Sequence, residues 1–343
     1  MRHLLNTLFV TSEDIYLSLD GENVVANRGQ QAVARYPLHI LSGIVSFSYA
    51  GASPALMGAC AERDVALSFC TPRGRFLARV MGESSGNVLL RRAQYRAADE
   101  PSSCCRLARS MIFGKVYNAR WSLERTRRDH GLRVDENALG TASAQLWNLL
   151  PQIEEETSLE HLRGLEGVGA TAYFRVFDQL VLGEKPFFAF KGRSRRPPTD
   201  PLNALLSFAY SLLAHDCASA LESVGLDAYV GLLHRDRPGR TSLALDLMEE
   251  LRPCLADRFV LTLINNRVVS QGDFEFRGTG AVYLRDSGRT VFLQHWQNRK
   301  KVELTHPYLK EKMPWGLVPY VQALLLSRTL RGDLDGYPPF LWK

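Results

Sequence analysis

The chain has 343 residues, 45% hydrophobic and 23% charged, with a formal net charge of +6. This is an ordinary composition for a soluble protein, the length exceeds what one core usually serves, and the positive balance fits a polyanionic partner without showing one, so two domains are expected. Cys60, Cys70, Cys104, Cys105, Cys217 and Cys254 form no C-x-x-C pair, the first apolar stretch is too short for a signal peptide, and no uninterrupted apolar run spans a membrane. A zinc site or disulfide framework is therefore not expected, and a cytoplasmic location is.

Residues 1–85 read as a small β-rich domain. Strands are expected at Thr7–Thr11, Ile15–Leu19, Asn23–Ala26, Ile44–Tyr49, Val65–Cys70 and Phe76–Met81, with Asp20-Gly21 as a hairpin turn. Ser53-Pro54 opens a short helix, since a serine cap followed by proline is a favoured start, and Thr71–Gly74 reads as a turn. Residues 86–102 follow as a linker with a helical middle, and 103–343 as a larger, mainly α-helical domain, giving an α+β fold. Within it, helices are expected over Cys104–Arg128, from the Asp200-Pro201 cap to Gly225, and over Leu317–Leu330. The Asp200 helix is apolar nearly all round and is expected at the centre of the core.

Four side chains in this second domain are of metal-binding type. Glu166 stands among glycines and hydrophobes, where a carboxylate is costly to bury unless it meets a cation; the plainer alternative is an exposed residue at a helix start. His234 ends an apolar run, a place more often filled by a hydrogen-bonded surface histidine. Asp246 and Glu249 are three apart on a helix expected to stop at Pro253, so both carboxylates share a face, although paired acids on helices are usually solvated. One imidazole with carboxylates suits a divalent ion such as Mg²⁺ or Mn²⁺. Arg193, Arg195, Arg196, Arg235, Arg237 and Arg240 lie in loops beside these segments, and guanidinium groups around a metal suit phosphodiester chemistry.

The runs LRGLEGVGATAYF, RRPPTDPLNALLSFAYSLL and GLLHRDRPGRTSLALDLMEELRPCLADRFVLTLIN, in this order, resemble the CRISPR-associated endonuclease and integrase at the core of the spacer-acquisition module. The resemblance covers nearly the whole chain, and the opening MRHLLNTLFVT and ending YPPFLWK are similar to its type I-C branch. It implies that Glu166, His234 and Glu249 bind the metal, with Asp246 in a supporting role whose loss is expected to be milder. It also implies a DNA endonuclease and integrase that joins 3′ hydroxyl ends of short foreign fragments into the CRISPR repeat array. Partners implied are double-stranded DNA, a second copy paired through the β-rich domain, and a dimer of the small second CRISPR-associated protein. A catalytically inactive DNA-binding scaffold and a metal-dependent RNA nuclease are the alternatives that residues alone leave open.

Overall fold

Two β layers open the chain in the computed structural model, which describes residues 6–63, 65–71, 76–82 and 88–343. Most of the turn expected at 71–74, part of the linker and the first five residues lie outside these. The strands are β1 (Asn6–Val10), β2 (Ile15–Asp20), β3 (Asn23–Arg28), β4 (Gln31–Pro37) and β5 (Leu41–Ser46). After helix α1 (Pro54–Glu62) come β6 (Ala66–Cys70) and β7 (Phe76–Arg79). β2, β3 and β4 form an antiparallel meander, whose first turn carries Gly21 at φ +58°, the left-handed conformation a tight hairpin asks for. The other sheet runs β1-β5-β6-β7, parallel except for β6 with β7.

β5 is a wall between two cores. Side chains alternate across a strand, so Ile44 packs with Leu17, Leu56 and Leu67 in a small core, while Val45 and, just beyond the strand, Phe47 join the large core of the helical part. The segment expected as a linker is mostly helix α2 (Val88–Asp99). It is docked: Leu90 is buried, and Gln94 exchanges hydrogen bonds with the backbone of Asp227 at 2.7 and 2.9 Å.

The helical part comprises α3 (Pro101–His130), α4 (Glu136–Glu155), α5 (Leu159–Arg175), α6 (Pro201–Ser223), α7 (Ser242–Met248) and α8 (Arg258–Asn265). The hairpin of β8 (Phe274–Phe276) and β9 (Val282–Leu284) precedes α9 (Asp286–Lys301), and β10 (Glu303–Thr305) pairs with β11 (Lys312–Pro314) before α10 (Val318–Leu330). α6 begins as expected, with the Asp200 carboxylate accepting from Asn203 N and Pro201 in the first turn. By length and composition it could cross a membrane, but it is the core helix: Leu205, Leu206, Ala209 and Leu213 are fully buried. Withdrawing each such leucine from water stabilises the fold by roughly 2 kcal/mol.

The C-terminal residues form a strap across the back of α3. Buried Glu250 accepts from Phe340 N at 2.7 Å, from Gln322 Nε2 at 2.8 Å and from the Tyr337 hydroxyl. Asn118 closes the clasp, donating to the backbone carbonyls of Glu250 and Phe340 and accepting from Trp342 N. Burial lifts the Glu250 carboxyl to about 7 against the pull of these hydrogen bonds. An acid whose pKa rises on folding favours the folded state in its protonated form, so this contribution is complete below the unfolded value near 4.5 and is lost as pH climbs through 7. The stability difference between wild type and Glu250→Gln, from urea unfolding, should therefore shrink by on the order of 3 kcal/mol between pH 4.5 and 8. A difference constant across that window would rule out a neutral Glu250.

Candidate metal centre

Three helical segments and one loop supply the site. Ser158 caps α5, and Glu166 sits two turns in. Gly169, one turn further, lets α5 lie against α3, since a Cβ there would stand 3.2 Å from Val116 Cγ2. Lys115 arrives from the facing side of α3. Glu249 begins a short 3₁₀ turn directly after α7. Pro253 does not stop this helix as expected: the missing N–H is absorbed by a wider π-helical turn over Arg252–Asp257, and the chain continues into α8.

His234 lies in the irregular loop between α6 and α7, and Asp246 holds that loop. The Asp246 carboxylate is fully buried and accepts from the backbone N–H groups of Leu232, Leu233 and His234 at 2.6, 3.0 and 3.0 Å. It also accepts from His234 Nδ1 at 2.5 Å, which fixes the imidazole so that Nε2 faces Glu249 Oε1 at 4.0 Å. Only glycine fits at 231, where a Cβ would be 2.4 Å from the His234 carbonyl oxygen and 2.6 Å from Ser242 Cβ. Arg163 clamps the loop from α5, donating twice to the Leu233 carbonyl. Asp246 and Glu249 thus address opposite edges of one ring, Asp246 as its support.

Glu166, His234 and Glu249 line one cavity of about 500 Å³. They do not converge directly: among the described residues, no three His, Cys, Asp or Glu side chains form a ready ligand cluster. The Lys115 ammonium stands between the two glutamates, bonded to Glu166 Oε1 and 2.7 Å from Glu249 Oε2. On the other side, Arg252 meets Glu249 Oε1 at 2.9 Å. Burial pushes the Glu249 carboxyl up, but the Arg252 guanidinium, Lys115 and His234 outweigh it and hold it at about 2, so the group is anionic. Glu249 Oε2 is buried without a well-angled hydrogen bond. Two carboxylates closed on one cation, and an imidazole whose Nε2 its support turns toward Glu249, are donors that fit a hard divalent ion.

The arginines divide. Arg195, Arg237 and Arg240 line both this cavity and an adjoining groove of about 1820 Å³, and have no ion pair among the described residues. Arg196 lines the groove alone. Arg235, at the cavity's edge, pairs with Glu160 at 2.8 Å. Arg193 is turned inward, bonded to Asn203 Oδ1 and stacked over the Tyr210 ring at 5.0 Å. Arg252 stacks on the same ring at 4.9 Å, and the Tyr210 hydroxyl donates to Asp257, whose carboxyl burial raises to about 6. Sequence reasoning missed Lys115, Arg252, Tyr210 and Asp257. Lys115 left a trace, being a lone cation inside the apolar run MIFGKVY, where burial demands an anionic partner.

A family model for CRISPR associated protein Cas1 matches residues 8–298. The CRISPR-associated endonuclease Cas1 2 of Rhodospirillum rubrum is 52% identical over 347 residues, with both chains covered in full. The fold is also similar to a casposase bound to integration product, at TM-score 0.83 over 98% of this chain and 93% of that one, with 22% identity. A Cas6-RT-Cas1–Cas2 complex gives TM-score 0.79 at 22% identity over 99% of this chain and 36% of that one. With a family match over most of its length and a full-length relative at more than half identity, the chain belongs to the Cas1 family of CRISPR-associated proteins.

Proposed function

We propose that the protein is a divalent-metal-dependent DNA endonuclease and integrase of CRISPR adaptation, joining the 3′ hydroxyl ends of short foreign fragments to the repeat array. The observation that carries this reading is that Glu166, His234 and Glu249 line one cavity together with Arg195, Arg235, Arg237 and Arg240. The relative from Rhodospirillum rubrum is named an endonuclease, which supports the same chemistry here. Glu166, His234 Nε2 and Glu249 would hold Mg²⁺ or Mn²⁺, and the ion would supply Lewis-acid stabilisation of a phosphodiester under attack. Asp246 orients the imidazole. Arg195, Arg237 and Arg240 neutralise phosphate charge at the cavity mouth, and Arg196 extends the contact along the groove.

A fluorescent duplex with 3′ hydroxyl ends and a repeat-bearing plasmid test the reading. Joining in Mn²⁺ but not in EDTA is expected; DNA binding without joining would leave a scaffold. DNA affinity should also fall steeply with salt, and replacing Arg195, Arg237 and Arg240 together with alanine should flatten that dependence by roughly three units of slope. Equal slopes for variant and wild type would make these arginines ordinary solvated surface.

The assembly we propose is a homodimer through residues 1–85, acting in the cytoplasm with the small second CRISPR-associated protein. Val33 and Tyr36 on the edge strand β4, and Ile40 just after it, are exposed apolar residues that a second copy would cover. The solved Cas6-RT-Cas1–Cas2 complex is consistent with the second partner. Placement in the type I-C branch rests on the two terminal runs and is checked by the neighbouring genes. Sedimentation of the full chain as a monomer at micromolar concentration would remove the dimer.

A further inference from the structure

We infer that Lys115 is a built-in cation of the metal centre, and that loading the site is an exchange in which a divalent ion expels the lysine ammonium from between Glu166 and Glu249. The inference rests on the metal-centre reading above and assigns a residue that this reading did not need. Two observations carry it, the position of the ammonium and the close packing of the helix that presents it.

The Lys115 side chain is 14% exposed, and its nitrogen touches one oxygen of each glutamate. Both oxygens are taken by one ammonium, so an ion held there by Glu166 and Glu249 would need the electron pairs that the ammonium now uses. A divalent ion and an ammonium at bonding distance from the same pair of oxygens would repel strongly in so enclosed a place, and one of them has to leave. Without any cation the two carboxylates would face each other at low dielectric, which is costly. Arg252 does not relieve this, because it is committed to the other oxygen of Glu249 and reaches no oxygen of Glu166 in the described ion pairs.

The backbone cannot carry the lysine away. Gly114 is pressed against Glu250, where a Cβ would stand 3.0 Å from Glu250 Cβ, and Val116 packs against Gly169 of α5. Release must therefore be a swing of the flexible four-carbon stem, for which the adjoining cavity has room. The lysine keeps the metal-free site assembled and at the same time lowers its affinity for metal, since each ion bound must first displace a charge already in place.

The test uses the full-length chain and Mn²⁺ alone. Brief acetylation with an amine-reactive reagent, read by mass spectrometry, should modify Lys115 several-fold faster in saturating Mn²⁺ than in EDTA, while exposed Lys185 and Lys312 react equally in both. Calorimetric titration should show Lys115→Met binding Mn²⁺ at least tenfold more tightly than wild type, with Lys115→Arg close to wild type. Unchanged labelling of Lys115 on metal loading would overturn the exchange, as would Mn²⁺ binding by Lys115→Met no tighter than wild type. The labelling arm needs no variant, so a misfolded Lys115→Met leaves it decisive. Glu249→Ala separates the two levels: if wild type takes up no Mn²⁺ that this variant loses, the metal centre itself falls, and the exchange with it.

Discussion

Replacing Glu166, His234 or Glu249 with alanine should lower Mn²⁺-dependent strand joining by on the order of 10³-fold or more, because several kcal/mol of charge stabilisation leaves with the ion. The three variants should differ in what else they disturb. Glu166→Ala leaves Lys115 paired with Glu249 alone and is the cleanest. Glu249→Ala leaves Lys115 and Arg252 both facing a hole in a buried pocket, and should also lower the thermal midpoint. His234→Ala removes one of four donors from Asp246 and keeps the loop. Joining rates in saturating and in dilute Mn²⁺ decide the matter: a variant near wild type under both conditions has not lost a ligand.

Asp246→Ala is expected to be the more damaging change for the fold, and the partners of this side chain explain why a mild effect no longer follows. Its carboxylate is itself fully buried and is the acceptor for three backbone N–H groups and an imidazole. Truncation leaves those donors without partners at once and should cost about 4 kcal/mol, with the His234 loop losing its register. Activity should fall with it, through a misplaced imidazole. Asp246→Asn, which keeps one acceptor oxygen, should retain part of the stability. Urea unfolding reads both, and a loss under about 1 kcal/mol for the alanine variant would show that water or another donor set replaces Asp246.

The features legible in the sequence were those with a local cause. Ser53-Pro54 and Asp200-Pro201 announce α1 and α6 because a cap and a proline act within a few residues of themselves. β4 escaped because an edge strand with residues such as Gln31, Arg35 and Tyr36 facing outward shows no apolar alternation. α4 has its cap at Asp135, but Pro151 interrupts its pattern and hides the helix in the sequence. α9 shows no plain apolar stripe, because its charged last turn hides the buried Phe292 and Trp296. At the site, the residue types at 166, 234, 246 and 249 were visible, while the insertion of Lys115 between two of them is a contact across 51 residues that no spacing rule reports. The pitch change after Glu249 was hidden for a different reason, since proline ordinarily ends a helix and only the surrounding packing lets it widen one.

The clasp formed by Glu250, Asn118 and Phe340 also sets a schedule. Glu250 and Phe340 are 90 residues apart, so at ordinary synthesis rates roughly 5–20 s separate their emergence from the ribosome. During that interval the partners of the Glu250 carboxyl are not all yet made, and the turn that carries Glu249 has only part of its support, such as the Asn118 bond from α3 to the Glu250 carbonyl. The backing of the site is therefore complete only once Phe340 has joined it.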